Sequence, residues 1–334
     1  MKYKNNNDIQ LLDNYGRSIS YLRVSLTDQC NLKCDYCYGN RSMCTDSERH
    51  LTDEELIRII NIFSRLGIDK IRFTGGEPLI RKNVANLIDR VSSVSAINLI
   101  GLTTNGVLLE KLFDKLIIAG LNRLNVSLDT LQRDKFSRIT GRDEFQRVLR
   151  GIYLALESDA FNRIKVNTVV MRSINDDELR AFAEWALNKN IDLRFIEFMP
   201  TADSGWNKSR FIGEDEMREI INLPLVPEKP DDISQGPARS YRMDKYPGRI
   251  SFISALSRNF CNNCNRLRLT SSGELIGCLF GTQKVNISQL LRDCTNDDDI
   301  ASYLCRTISK PEFRRNSDNC SVSFIQPNMR MVGG

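Results

Sequence analysis

Between residues 21 and 221 the chain alternates short β-rich apolar runs with longer stretches of helical period, and this alternation restricts the fold more than any other feature. Strands are expected over residues 21–26, 70–74, 97–102, 123–128, 164–171 and 193–199. Residues 52–66, 84–91, 108–119, 145–157, 176–188 and 214–221 space their apolar side chains as helices do. In the first of these, Leu56, Ile59, Ile60 and Phe63 form the stripe, and Thr52 followed by Glu55 reads as a capping box. Gly120 is expected to stop the third helix and Asn175 to cap the fifth. Such alternation implies parallel strands joined by right-handed crossovers. An open, partial (β/α)6 barrel of TIM type accounts for about 220 residues and places its chemistry at the strand ends. A doubly wound sheet is the alternative with the same rhythm.

Beyond residue 223 the rhythm stops. Residues 224–248 carry Pro224, Pro227, Pro230, Pro237 and Pro247 with no clear period, and read as a linker and irregular cover. Strands are expected at 249–253 and 267–270, then a hairpin through Ser271-Ser272-Gly273 into a strand over 274–279. Helices are expected at 285–291 and 298–308. The chain therefore divides into a barrel over residues 1–222 and a smaller C-terminal α+β extension over 223–334 that covers the barrel opening. No apolar run reaches the roughly 18 residues of a membrane span, and the polar N-terminus lacks a secretory signal, so a cytoplasmic protein is expected. A net charge of +5, from 47 basic and 42 acidic residues, is too mild to argue for nucleic acid; a local anionic site accounts for it. The one histidine, His50, excludes any mechanism that needs two.

Ten cysteines in a chain this long, with no sign of secretion, point to metal rather than disulfides. Cys30, Cys34 and Cys37 form C-x3-C-x2-C directly after the first strand. Cys261 and Cys264, followed by Cys278, form a second set of three, with Cys278 brought back by the hairpin. A cubane iron–sulfur cluster ordinarily takes four thiolates, so three leave one iron open to an outside molecule. Zinc is the alternative, but a structural zinc site needs four closed ligands. Cys44, His50, Cys294, Cys305 and Cys320 all lack the usual short spacing to either set. A zinc-stabilised binding module thus remains the non-enzymatic reading.

The first cysteine motif resembles the cluster loop of radical S-adenosylmethionine enzymes. Other stretches narrow the resemblance: Thr74-Gly75-Gly76-Glu77-Pro78, Gly101-Leu102-Thr103-Thr104-Asn105-Gly106, Asn125-Val126-Ser127-Leu128-Asp129 and Arg194-Phe195-Ile196-Glu197-Phe198-Met199. So do Phe260-Cys261-x2-Cys264-x-Arg266-x-Arg268, Gly277-Cys278-Leu279-Phe280 and the terminal Gly333-Gly334. Together they resemble the GTP 3′,8-cyclase family of molybdenum-cofactor biosynthesis. One departure is visible: Tyr38-Gly39 stands where the family usually has Met-Pro. These positions flank the cluster loop, so local packing is affected rather than ligation. A radical enzyme that modifies peptides, with an auxiliary cluster, is the alternative within the superfamily.

The resemblance implies two [4Fe–4S] clusters, one on each thiol set, with S-adenosylmethionine bound at the first and GTP at the second. It implies Tyr36, Gly76, Ser127 and Met199 as S-adenosylmethionine contacts. For GTP it implies Arg23, Arg72, Thr103, Lys165, Arg266, Leu267 and Arg268. The reaction it implies is radical cyclisation of GTP between ribose C3′ and guanine C8. The cysteines of the first set, Arg266 and Arg268 would be the catalytic residues. An electron donor of flavodoxin or ferredoxin type and cyclic pyranopterin monophosphate synthase downstream are the partners it implies, with no nucleic acid or membrane, for a monomer or homodimer. Two readings come from the residues themselves. Arg266 and Arg268 alternate on a strand-like stretch and so project to one face, where planar guanidinium forks suit phosphate. The thin Met331-Val332-Gly333-Gly334 tail, whose carboxylate could pair with an arginine, suits a narrow pocket, and the resemblance implies that it inserts toward the active site.

Overall fold

Period-two alternation sorts the parallel strands into an apolar face and a polar face. The computed structural model describes residues 10–38, 50–202, 204–228, 236–294, 296–315 and 329–332. The six expected parallel strands are β1 (Tyr21–Ser25), β2 (Lys70–Thr74), β3 (Leu99–Thr104), β4 (Arg123–Ser127), β5 (Ile164–Val170) and β6 (Ile191–Glu197). They lie side by side in chain order, each parallel to the next. The C-terminal part adds β7 (Val226–Pro227), β8 (Arg239–Arg242), β9 (Arg249–Ile253), β10 (Arg266–Leu269), β11 (Glu274–Ile276) and β12 (Lys284–Asn286). These extend both edges of one 12-stranded sheet, and its end strands do not pair with each other. β9 joins β6, and β10 joins β1, both in parallel.

On the outer face Leu22, Val24, Ile71, Phe73, Leu124 and Val126 are fully buried. They form part of one continuous apolar core with the helices. The short α1 (Asp35–Tyr38) adds nothing to that core; the helices that do are α2 (Asp53–Arg65), α3 (Val84–Ser92), α4 (Leu109–Ile118), α5 (Arg133–Thr140), α6 (Phe145–Glu157), α7 (Leu179–Leu187) and α8 (Glu214–Ile221). The C-terminal part adds α9 (Ile287–Asp293), α10 (Asp297–Ile308) and α11 (Met329–Val332). The α2 stripe is buried as expected, and the capping box is formed in both directions. Gly120 follows α4 at φ +97, the left-handed conformation a glycine adopts without strain. Among the described residues no helix is long and apolar enough to cross a membrane.

Several expectations need correction. Asn175 does not cap the following helix; its side chain bonds the backbone of Asp129, Val169 and Met171 and locks the end of β5. The proline-rich stretch is not all irregular, because β8 extends the sheet antiparallel to β9 and β7 pairs antiparallel with β8. The helix expected at 285–291 begins at Ile287; Asn286 caps it, and the preceding residues pair with β11. The strand expected over 274–279 stops at Ile276, where Gly277 leaves the ladder to meet Arg314. The helix α5 was not foreseen, since only Phe136 and Ile139 mark its apolar side. The Met331–Gly334 expectation falls partly outside the described residues, which stop at Val332; Met329 lines the central cavity.

Replacing Thr52 by Ala removes the acceptor for the Glu55 backbone N–H at the start of α2. Urea denaturation is expected to show a loss of about 1 kcal/mol. An unchanged midpoint would mean that the capping box adds nothing to stability.

Candidate active site

The inner face of the sheet carries polar and charged side chains, and parallel register places them in rows. Arg268, Arg23 and Arg72 are direct neighbours across β10, β1 and β2. Arg266, Tyr21 and Lys70 form the next row. Asn125, Lys165 and Asp192 continue the face across β4, β5 and β6. One cavity gathers Arg23, Arg72, Lys165, Arg266 and Arg268 with Met199. Cys261, Cys264 and Cys278 lie on its wall, and no Asp or Glu does so among the described residues. Leu267 points the other way, into the core, so alternation along β10 delivers both flanking arginines to the cavity as expected.

The electrostatics of this cavity are those of a site built for an anion. Burial, opposed by Tyr21, and the nearby Arg266 and Arg72 push the Arg23 guanidinium down to about 10. Burial and its arginine neighbours hold Arg268 well below the usual guanidinium range. Burial and Arg194 lower the Lys165 amine to about 6. Burial pushes the Tyr21 hydroxyl up, but Arg72, Arg23 and the other cations outweigh it and bring it to about 8. Each shift marks positive charge crowded together in low dielectric. Arg72 is held by Tyr21 Oη (2.6 Å), the Leu102 carbonyl (3.1 Å) and Asn125 Oδ1 (3.0 Å). Gly101 makes room for it, since a Cβ there would lie 2.7 Å from the Arg72 Cζ. The expected set omitted Lys70, Arg194 and Asn167, which also line the cavity. Lys70 and Asn167 stand two residues along a strand from a chosen residue, and Arg194 opens a quoted motif; these were the available signals. Thr103 does not line it, but its Oγ1 is buried with no partner among the described residues.

Cys30 and Cys34 of the first thiol set lie on the loop between β1 and α1, and Cys37 lies in α1 itself. That loop is seated on two glycines. The Gly76 N–H donates to the Thr27 carbonyl (2.7 Å) and the Glu77 N–H to the Gln29 carbonyl (2.8 Å). A Cβ on Gly76 would sit 2.0 Å from the Gln29 oxygen, and one on Gly75, at φ +143, 2.3 Å from the Thr27 oxygen. These glycines are thus demanded by backbone–backbone approach to the cysteine loop. Glu77 is fully buried and accepts from Thr104 Oγ1 (2.7 Å) and the Asn105 N–H (2.7 Å). Asn105 in turn donates to Cys30 Sγ (3.6 Å) and Asn31 Oδ1 (2.7 Å). Tyr36 donates to Asp129 Oδ2 (2.7 Å), and Asp129 Oδ1 accepts from the Val169 N–H (2.8 Å). Glu77, Asn105 and Asp129 were missed as functional residues, although each stands in a quoted motif. Ser127 sits opposite Asn167 on the inner face. The Tyr38-Gly39 departure falls at the end of α1; Gly39 lies outside the described residues.

Both thiol sets have the donor chemistry of an iron–sulfur site. Cys264 is pushed up by burial, but Arg266 and Arg314 outweigh this and bring it to about 6, favouring the thiolate a metal needs. Burial, with Asp129 and the sister thiols, raises Cys34 well above the usual thiol range, a cost that bound iron relieves. Among the described residues no three His, Cys, Asp or Glu side chains gather as ligands of a single ion.

Residues 24–186 match the Radical SAM superfamily, and residues 191–316 match Molybdenum Cofactor Synthesis C. A "GTP 3′,8-cyclase" of Syntrophomonas wolfei is 40% identical over 330 residues, covering 97% of this chain and all of that one. The chain belongs to the GTP 3′,8-cyclase family. A second family member, from Petrotoga mobilis, is 42% identical with 97% of this chain and all of that one covered. The human "Molybdenum cofactor biosynthesis protein 1" is 38% identical over 95% of this chain, which spans only half of that protein. The solved structure of Streptococcus suis SuiB bound to S-adenosylmethionine shares the fold, with a TM-score of 0.62 and 14% identity. That likeness covers 93% of this chain and 72% of the other. Membership of the radical SAM superfamily brings S-adenosylmethionine and an iron–sulfur cluster as cofactors.

Lys165 gives the site a measurable pH signature. Above about pH 6 its amine is mostly neutral. A polyanion bound against it favours the ammonium form, so binding takes up a proton and affinity falls as pH rises. The loss reaches at most about tenfold per pH unit. Calorimetry with tripolyphosphate at pH 8, in two buffers of different ionisation heat, is expected to show uptake that Lys165→Met lowers, the rest belonging to the Tyr21 hydroxyl near 8. Equal uptake by both proteins would rule this out.

Proposed function

We propose that this chain is a radical S-adenosylmethionine GTP 3′,8-cyclase, a lyase of the first step of molybdenum-cofactor biosynthesis. It would convert GTP to (8S)-3′,8-cyclo-7,8-dihydroguanosine 5′-triphosphate. The observation that carries this reading is the meeting, in one cavity, of the second thiol trio with the cations of β1, β2, β5 and β10. A nucleoside triphosphate brings negative charge to those crowded cations, and a base at its other end could reach the thiol-bound metal.

In this reading Cys30, Cys34 and Cys37 hold one [4Fe–4S] cluster, and Cys261, Cys264 and Cys278 hold a second. When bound, the first cluster with S-adenosylmethionine supplies a radical able to take hydrogen from an unactivated carbon. The chain's own residues do the rest. Arg23, Arg72, Lys165, Arg266 and Arg268 bind and orient the triphosphate, with Thr103 Oγ1 as a further polar contact. Leu267 anchors the strand between its two arginines. Tyr36, Gly76, Ser127 and Met199 position S-adenosylmethionine, and Met199 lies on the wall shared with the GTP cations. The division of labour runs between residues 1–222, with the first cluster, and 223–334, with the second. A one-electron carrier of flavodoxin or ferredoxin type would reduce the first cluster in the cytoplasm. Cyclic pyranopterin monophosphate synthase would consume the product.

Anaerobically reconstituted protein is expected to hold about eight irons, and Cys34→Ala about four. With GTP, S-adenosylmethionine and a reductant, the parent should release 5′-deoxyadenosine and a cyclised triphosphate, resolved by chromatography with tandem mass spectrometry. Bound zinc in place of iron, or GTP recovered unchanged, would sink the reading. Arg266→Ala is expected to bind GTP about tenfold to hundredfold more weakly, because a charge-assisted contact is lost.

A further inference from the structure

Beside the second thiol trio lies a buried charge network that the proposed chemistry does not use. Arg314 is 1% exposed and donates through Nε to Asp13 Oδ2 at 2.8 Å. Its Nη1 reaches the carbonyl oxygens of Arg266 (2.5 Å) and Gly277 (3.1 Å), and its Nη2 that of Cys264 (2.5 Å). Asp13 also accepts from Arg17 Nε at 2.7 Å. Arg17 Nη1 then donates to the carbonyls of Cys261 and Arg315. Gly277 makes the approach possible, because a Cβ there would lie 2.2 Å from the Phe313 carbonyl oxygen.

A buried arginine that only stapled distant segments together could use any free carbonyls. Of the five carbonyls these two arginines take, four are those of Cys261 and Cys264 themselves, of Arg266 two residues on, and of Gly277 just before Cys278; the fifth is that of Arg315. Every thiol of the trio is therefore held at its own backbone or its neighbour's. The charge is as telling as the geometry. Among the described residues two guanidiniums share one carboxylate, which leaves one positive charge buried beside the trio.

We propose that Arg314, oriented by Asp13 and seconded by Arg17, is the positioning residue of the second thiol trio: it fixes the thiols through their carbonyls and raises the reduction potential of the cluster they hold. This rests on the reading of the trio as a cluster site. Outer partners of a metal site orient its ligands, and the potential of an iron–sulfur cluster follows local charge and hydrogen bonding.

The test uses full-length protein carrying Cys30→Ala, Cys34→Ala and Cys37→Ala, so that only the second trio can hold iron. Iron and sulfide are assayed after anaerobic reconstitution, and the midpoint potential is measured by redox titration followed by EPR. Arg314→Met is expected to hold iron about 10- to 100-fold more weakly. Its potential should fall, because the more negative reduced cluster loses a cation. Asp13→Asn should shift the potential the opposite way, because an anion is lost. Arg314→Lys keeps the charge without the fork, and should restore the potential more fully than the iron affinity. Loss of all iron from an Arg314→Met that keeps the parent's circular dichroism and melting supports the bracing, and the sign of the Asp13→Asn shift then decides the electrostatic part. If Arg314→Met does not fold, Asp13→Asn and Arg314→Lys decide both. Parent-like iron affinity and potential in Arg314→Met, or shifts of one sign in both variants, overturn the proposal. A background protein that binds no iron at the second trio overturns the cluster reading itself, and this proposal with it.

Discussion

Like charge crowded onto the inner face of a parallel sheet is the constraint on which the rest of the molecule turns. Arg268, Arg23 and Arg72 stand abreast on adjacent strands, where hydrogen-bond register leaves them no freedom to separate along the sheet. Such an arrangement costs stability in the unliganded protein, because burial and mutual repulsion both disfavour the charged forms. The fold tolerates it by satisfying some cations locally. Arg72 is bound by Tyr21 and Asn125, and Arg194 by Asp192. An anionic ligand relieves what remains, so site strain and ligand affinity have one physical origin.

The C-terminal part is what makes that crowding complete. β10 brings Arg266 and Arg268 against β1, and the adjoining loops bring the second thiol trio to the same cavity. β9 closes on β6 at the other side of the parallel array. Without these strands the edges of β1 and β6 would present unpaired backbone groups, the usual liability of an open sheet. Completion of the sheet and completion of the site are thus one structural event.

At the first thiol set the constraint is backbone approach rather than charge. The cysteine loop lies so close to Gly75 and Gly76 that no side chain fits between. Glu77 then turns inward to bind the end of β3, whose Asn105 reaches Cys30. One short motif therefore links the ends of three neighbouring strands to the loop that carries the thiols. Burial, offset by bonds from Asn105, Thr104 and Leu79, raises the Glu77 carboxyl to about 7.

Local pattern determined a large part of this protein. Period two along β10 assigned Arg266 and Arg268 to one face, and only the structure put Leu267, expected among the GTP contacts, into the core. Helical period marked α2 with its capping box, and α6 and α8 to the residue. Cysteine spacing marked both thiol sets. These features are legible because each depends on neighbours within a turn or a strand. The helix α5 was not, because its apolar side is two residues wide, and neither was the part of Asn175, whose partners at Asp129 and Val169 only the packed sheet supplies. Tertiary structure alone decided that the C-terminal strands extend both edges of the barrel sheet. It alone brought Asp13 to Arg314, 301 residues away, beside the second thiol trio. No spacing rule reaches that far, because such a contact forms only once the chain between has folded and excluded water from both charges.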